Sequence, residues 1–563
     1  MKKMSFDVVI ENGRVIDGTG NPWFRADIGI QDDKIARVSK IKIGKGDRTI
    51  DANDKFIVPG FINIHSHSDR QFLSHNKCES SVKQGITTDM AGPNGRSLYP
   101  IREEKQQSLE KYLNIKAYGV KVNVDWFTLA GWRKTLEKKG IAMNVAPLVG
   151  LITIRDYIMG EENMTKPTEN EMNEMKRLIS QVMEDGAFGL STGLKALQFT
   201  IKEVAELCKV VAKYGGLYHS DARESPPVIE GFYELIKIAE MGGIRGHRTI
   251  HKASGLENWG KAIETIRIID RTRARGIEIT FDQYPWKYAV IGNVGKWFLS
   301  RDSVERVIDI ENKENFNEII KNVKDPKIWD SLKKSRIEEI ERDKINTEKL
   351  IEKLNKKKTA FGAVWRNPGT SQYIVHSRTH PEAVGKNFYE IAEKMCTEHY
   401  LDAIKKIWID DDGETYTSSG YMCEEDIKAI LRHPTTSVTT DGRVFDSCPP
   451  IYHAEHPRTW GTYPKVLEKY VREESVLKIE NAIRKMTSLP AQIMQIRDRG
   501  LLKKNMYADI VIFDLKKIKN KATYENPYQF PDGIPYVIVN GQIVVEDGEC
   551  TGNLPGKVLF HKP

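Results

Sequence analysis

Cysteine is scarce and dispersed, with six in 563 residues, at positions 78, 208, 396, 423, 448 and 550, and no Cys-x-x-Cys pair among them. That spacing suggests neither a disulfide framework nor a structural zinc knuckle, and a reducing cytoplasm is the simplest compartment. Long apolar runs are also missing. No stretch of 18 apolar residues occurs, and the opening MKKMSFDVVIEN has too short an apolar run for a signal-peptide core. Nor does one sign of charge dominate: 86 Lys and Arg against 78 Asp and Glu leave +8, far from the dense basic stripe a nucleic-acid binder needs. The expectation is a cytoplasmic protein with neither nucleic acid nor membrane as partner, and with homo-oligomer formation left open. What is present, 40% hydrophobic and 29% charged residues, is ordinary globular composition. Length alone suggests about four domains, or two to three if one is a barrel.

Residues 1–58 read as short β-strands between turn signals, and the end of the chain repeats the style in YADIVIFDL and PYVIVNGQIVVEDGE. The two ends are expected to pair into one small β-sandwich domain, 1–58 plus 495–563. The Gly18-x-Gly20 pair fits a hairpin loop better than a nucleotide loop, because no helical pattern follows it. Between the ends, eight strand-like segments alternate with amphipathic stretches: FINIHSH from 61, ITTDMAG from 86, NVAPLVG from 144, AFGLSTG from 187, GLYHSDA from 216, RTIHKAS from 248, EITFDQY from 278 and SVTTDG from 437. Eight such units predict an α/β fold, a (β/α)₈ TIM-type barrel over 59–494. The last interval, about 159 residues, is too long for one unit. It predicts a helical insertion or lid at about 287–372, with Lys356–Lys358 as a solvated helix end and QYIVHSR as an extra strand.

His65 and His67 end the first strand, and a period of two puts both imidazoles on one face, where they can reach one metal ion. His219 and His251 fall late in two further strand-like segments, where inward residues meet the open top of a barrel. Each alone could be a satisfied core histidine. Asp441, in TTDGR, adds a carboxylate at the end of the eighth strand, though Asp-Gly is also a plain turn.

At this constellation the sequence resembles the amidohydrolase superfamily and, within it, the N-acyl-D-amino-acid deacylases (D-aminoacylases). The resemblance runs through VPGFINIHSHSD, SSVKQGITTDMAGPNG, EDGAFGLSTGL, IHKASG, FDQYPW, HPRTWGTYPKVLEKYVRE and DRGLLKKNMYADIVIFD. It implies one or two Zn²⁺ ions, other divalent metals being possible, held by His65, His67, His219, His251 and Asp441, with Asp441 also the catalytic proton shuttle. It implies that Lys252 and Arg458 bind the carboxylate of a small-molecule N-acyl amino acid or related amide, a role suited to the planar Arg fork and the Lys point charge. Tyr284, Ser377 and Arg378 are further pocket candidates.

Two departures stand out. Asn94 occupies the position where many of these deacylases carry a metal-binding Cys, and neutral Asn is a weak zinc ligand. The loop after GLSTGL reads Lys195-Ala196-Leu197-Gln198-Phe199; Lys195, if carboxylated, would restore an anionic ligand and points to the alternative of a cyclic-amide or dipeptide amidohydrolase. Two other readings are a non-catalytic scaffold and a serine hydrolase, the latter from Gly189-Leu190-Ser191-Thr192-Gly193 followed by Asp441 and His453.

Overall fold

The computed structural model describes residues 5–562 except 118–119, 162–164, 194–198, 222–227, 256–257, 290, 299–312, 354–367 and 447–454. Both ends of the chain feed one nine-stranded sheet. Strand Phe56–Pro59 pairs on one side with Val8–Val15 and on the other, antiparallel, with Ile510–Phe513. The Asn540-Gly541 pair makes the two-residue turn between Tyr536–Val539 and Gln542–Glu546, with φ of 47° and 79°; this is the left-handed pair that a tight hairpin of the right twist demands. Side-chain alternation covers both faces of this sheet. Ile510 and Ile512 join Ile10 and Ile28 in a separate core, whereas Val511 and Phe513 join the main core of the molecule.

The middle of the chain supplies eight parallel strand positions in sequence order. Phe61–Asn63, Ile86–Ala91 and Asn144–Pro147 form one sheet; Val149–Gly150, Gly189–Thr192, Leu217–Asp221, Arg245–Thr249, Ile279–Gln283 and Thr436–Val438 form another. The third strand is interrupted at Leu148 and so belongs to both. The outer strands meet through two backbone bonds, Asp441 N to His65 O and His67 N to Gly442 O. These strands are buried on both faces, as parallel strands under helices must be. Helices Glu169–Glu184 and Ile201–Lys213 each start with a capping box, Thr168 with Glu171 and Thr200 with Glu203, and the second buries Val204, Leu207, Cys208 and Val211 at helical spacing.

Between the seventh and eighth strands, Ile291–Asn293, Tyr373–His376 and Tyr416–Ser418 form a three-stranded antiparallel sheet. With helices that include Phe388–Lys394 and Tyr400–Asp410 it builds its own core around Phe298, Trp329, Phe388 and Trp408. Tyr373–His376 is the extra strand expected from QYIVHSR.

One buried pair ties the terminal sheet to the third strand. Asp509 takes hydrogen bonds from Arg499, from Asn144 Nδ2 at 3.2 Å and from the Asn540 backbone at 2.8 Å. Arg499→Met leaves that carboxylate buried without its cation and should cost about 3–5 kcal/mol in a urea unfolding experiment; a loss within roughly 0.5 kcal/mol, the range of an ordinary surface change, would show that the pair does not hold the two parts together.

Candidate metal centre and active site

The site begins with Asn63, at the end of the first strand. Its Oδ1 accepts from the Thr440 backbone at 3.0 Å and from Thr439 Oγ1 at 2.8 Å, while its Nδ2 donates to Asp89 Oδ1 and Thr440 Oγ1, both at 2.9 Å. These bonds fix the turn after the eighth strand, in which Asp441 adopts a left-handed φ of 47°. The Asp441 carboxylate is thereby aimed at the first strand. Its Oδ1 lies 3.1 Å from His65 Nε2 and 3.1 Å from His67 Nε2, and its Oδ2 lies 2.6 Å from Arg458 Nη1.

Burial opposes ionisation of Asp441, yet the Arg458 guanidinium and the two histidines hold its carboxyl well below the usual range. Burial depresses His67 to about 4 despite the nearby carboxylate. At His65, burial works in the same direction but Asp441 prevails and the pKa rises. The three residues suit a metal ion. Tetrahedral zinc at bond lengths near 2 Å sets neighbouring ligand atoms about 3.3 Å apart, and both histidine nitrogens already stand 3.1 Å from the shared oxygen.

Below His65 lies a column of imidazoles: His65 stacks on His219 and His219 on His247, each pair with centroids 5.4 Å apart. His65, His219 and Asp282 form a second group whose ligand atoms all lie within 4.8 Å of one another. His219 Nδ1 and Asp282 Oδ1 are buried without a hydrogen-bond partner, which is how ligand atoms look when their ion is absent.

On the other side of Asp441 is a cationic pocket. Arg458 stands 5.0 Å and Lys252 5.9 Å from the centre of the Tyr284 ring. Arg458 Nη1 also donates to Ala289 O at 2.9 Å, while Arg458 Nε and the Tyr284 hydroxyl are buried without partners. Burial disfavours a charged Lys252, but Tyr284, Asp221 and Asp441 outweigh it and raise its pKa.

The structure places several of the expected site residues away from Asp441. His251 stands outside the two groups of candidate ligands found among the described residues. The sixth strand ends at Thr249, so the period of two no longer governs residue 251; its ring lies between Phe232 and Phe281, with Nε2 2.7 Å from Thr265 Oγ1. Ser377 and Arg378 sit at the end of a strand of the insertion. Arg378 pairs with exposed Asp412 at 2.9 Å, and Ser377 Oγ accepts from the His380 backbone at 3.0 Å, so their polar groups serve that local turn. Ser191 is committed to structure, donating to Gly92 O at 2.6 Å and accepting from Gly95 N at 3.1 Å. Asn94 lies in a left-handed turn with Oδ1 buried and unpartnered. Lys195 and His453 lie outside the described residues.

The sequence reading missed His247 and Asp282. His247 pairs in register with His219, so a strand placed three residues earlier than RTIHKAS would have set two histidines side by side. Asp282 shares the inward parity of Thr280 in a segment already read as a strand.

The chain is similar to known proteins along nearly its whole length. Residues 349–545 match the amidohydrolase family model. The N-acyl-D-glutamate deacylase of Alcaligenes xylosoxydans xylosoxydans is 29% identical over 558 residues, 98% of this chain and 96% of that one. The D-aminoacylase of the same organism is 27% identical, over 98% and 97%. Among solved structures, an N-acyl-D-glutamate deacylase from Bordetella bronchiseptica, complexed with zinc and a phosphonate mimic of the tetrahedral intermediate, has a TM-score of 0.72 and 26% identity over 99% of this chain and 100% of that one. A D-aminoacylase described with a binuclear metal centre gives 0.71 and 26%, over 99% and 100%.

The placement of the histidines separates two substitutions. His65→Ala should abolish tight zinc binding, whereas His251→Gln should leave zinc content within error of the parent protein by elemental analysis. Loss of zinc from His251→Gln would return that residue to the ligand set.

Proposed function

We propose that this chain belongs to the amidohydrolase family and is a metal-dependent hydrolase that removes the acyl group from N-acyl-D-amino acids. The observation that carries the reading is the placement of Asp441 between two histidines on one oxygen and Arg458 on the other, beside Lys252 and Tyr284. Zinc, one or two ions per chain, is the proposed cofactor, with His65, His67, His219 and Asp441 as ligands and Asn94 as a weak further donor. When bound, the ion polarises the amide carbonyl and makes water acidic enough to lose a proton near neutral pH.

The remaining steps belong to the chain. Asp441 takes the proton of the attacking water and delivers it to the leaving amine nitrogen. The Arg458 guanidinium and the two histidines keep it ionised despite its burial. Arg458 and Lys252 grip the amino-acid carboxylate, and their unpartnered neighbours, Arg458 Nε and the Tyr284 hydroxyl, are donors awaiting an acceptor. Two cations on one side of the shuttle define the direction in which the acyl group must point, which gives a basis for choosing one configuration at the α-carbon.

The same reading treats the eight parallel strands as a closed (β/α)₈ barrel spanning 59–494. The terminal segments, 1–58 and 495–563, then make a small β-sandwich beside it. The insertion between the seventh and eighth strands is a lid over the strand ends. The substrate is a small molecule, and no nucleic-acid or membrane partner is invoked.

Asp441→Asn, assayed with zinc in excess, should lower kcat by roughly 10²- to 10⁴-fold. Turnover at the parental rate would overturn the proton-shuttle role. Arg458→Ala should reduce kcat/KM for N-acetyl and N-formyl D-amino acids by about 10- to 100-fold, the loss of a charge-assisted hydrogen bond. Hydrolysis of cyclic amides alone, or of L-configured substrates alone, would overturn the substrate assignment.

A further inference from the structure

We propose that Asp282, oriented by His247, binds a divalent cation together with His219, at a position one layer below Asp441. The inference rests on the metal-dependent reading of the site and adds as a ligand a residue to which the sequence reading assigned no role. The argument is an accounting of polar atoms. His219 Nε2 lies 3.1 Å from Ile64 O; a carbonyl only accepts, so Nε2 carries the proton and Nδ1 presents a lone pair. Asp282 Oδ2 lies 3.0 Å from His247 Nε2, and His247 Nδ1 lies 2.8 Å from Thr280 Oγ1. His247 is thus fully engaged and fixes the carboxylate, in the manner of groups that orient metal ligands.

What remains is His219 Nδ1 and Asp282 Oδ1, both buried and both without a partner, on residues whose ligand atoms lie within 4.8 Å of each other and of His65. The two are not hydrogen-bonded to one another. An ion with bonds of about 2.0–2.2 Å to each reaches both atoms wherever they stand within about 4.4 Å of one another.

Charge points the same way. Asn94 is neutral, His251 is turned outward, and Asp441 shares its charge with Arg458. Asp282 supplies a second anion to a centre otherwise built from imidazoles. A mixed nitrogen and oxygen set of this kind suits zinc or cobalt rather than calcium or magnesium.

The test uses the full-length protein. Crystals of the parental chain grown with zinc should show an anomalous peak at bonding distance from both His219 Nδ1 and Asp282 Oδ1, in addition to one at Asp441. In solution, Asp282→Asn should lose about one equivalent of cobalt, read by titration of its visible absorption, and His247→Gln should weaken that equivalent by about 10- to 100-fold. An anomalous map with an ion at Asp441 and none at Asp282 would overturn this inference and leave the hydrolase reading intact, as would parental stoichiometry and affinity in Asp282→Asn. Failure of the parental chain to bind any metal would overturn both. If Asp282→Asn does not fold, the map of the parental protein decides.

Discussion

A single buried carboxylate organises the site. Asp441 is 6% exposed, and an ion removed from water to that extent must be matched by charge and hydrogen bonds or it will not stay ionised. The match is supplied from three parts of the chain: the first strand gives His65 and His67, the helix Arg458–Lys465 begins with the guanidinium, and the turn after the eighth strand holds the backbone in place. Removing any one partner leaves the others to carry a desolvated charge. The fold and the chemistry therefore meet at one residue, because the bonds that join the last parallel strand to the first also aim the carboxylate.

Asn63 is the support beneath that arrangement. Its side-chain amide spans the first, second and eighth strands through Asp89 and the two threonines, and burial raises Asp89 to about 7. Ser68 Oγ, one residue beyond His67, donates to the other Asp89 oxygen at 2.9 Å. The loop that carries both histidines is thus tied to the second strand independently of any ion. Such a preformed cradle limits what a bound ion must reorganise.

The sequence made part of this legible for a physical reason. His65-x-His67 could be read from strand parity, and Asp441 could be read because an Asp-Gly at a strand end is where the first and last strands of such an array meet. Lys252, Arg458 and Tyr284 were found through motif resemblance, and the structure draws them around one ring. His251 was expected late in a strand, and the strand ends two residues before it. His247 and Asp282 were overlooked because a histidine or aspartate inside a strand carries no local signal; only the register that sets His247 beside His219 gives it meaning. Ser377 and Arg378 have local partners in the insertion, and a short strand there has no fixed relation to the parallel array. The strands of the two chain ends were visible from Asn-Gly and alternation, whereas their pairing across 450 residues of intervening chain is a tertiary fact.

Arg458 connects the two halves of the proposed reaction. Its guanidinium has five donors in one plane; Nη1 is committed to Asp441 Oδ2 and Ala289 O, while Nε has no partner. A substrate carboxylate received on the unused edge would leave the bond to Asp441 in place. Substrate and proton shuttle would then be held by one rigid group, with their separation set by its geometry. Lysine at this position could neutralise either anion but could not space them, having a point charge on a flexible stem. The neighbouring Lys252 adds attraction for the same anion without that constraint. On this view the pocket measures the distance from the substrate carboxylate to the scissile amide against the fixed width of a guanidinium, and it does so at the carboxylate that must also move the proton.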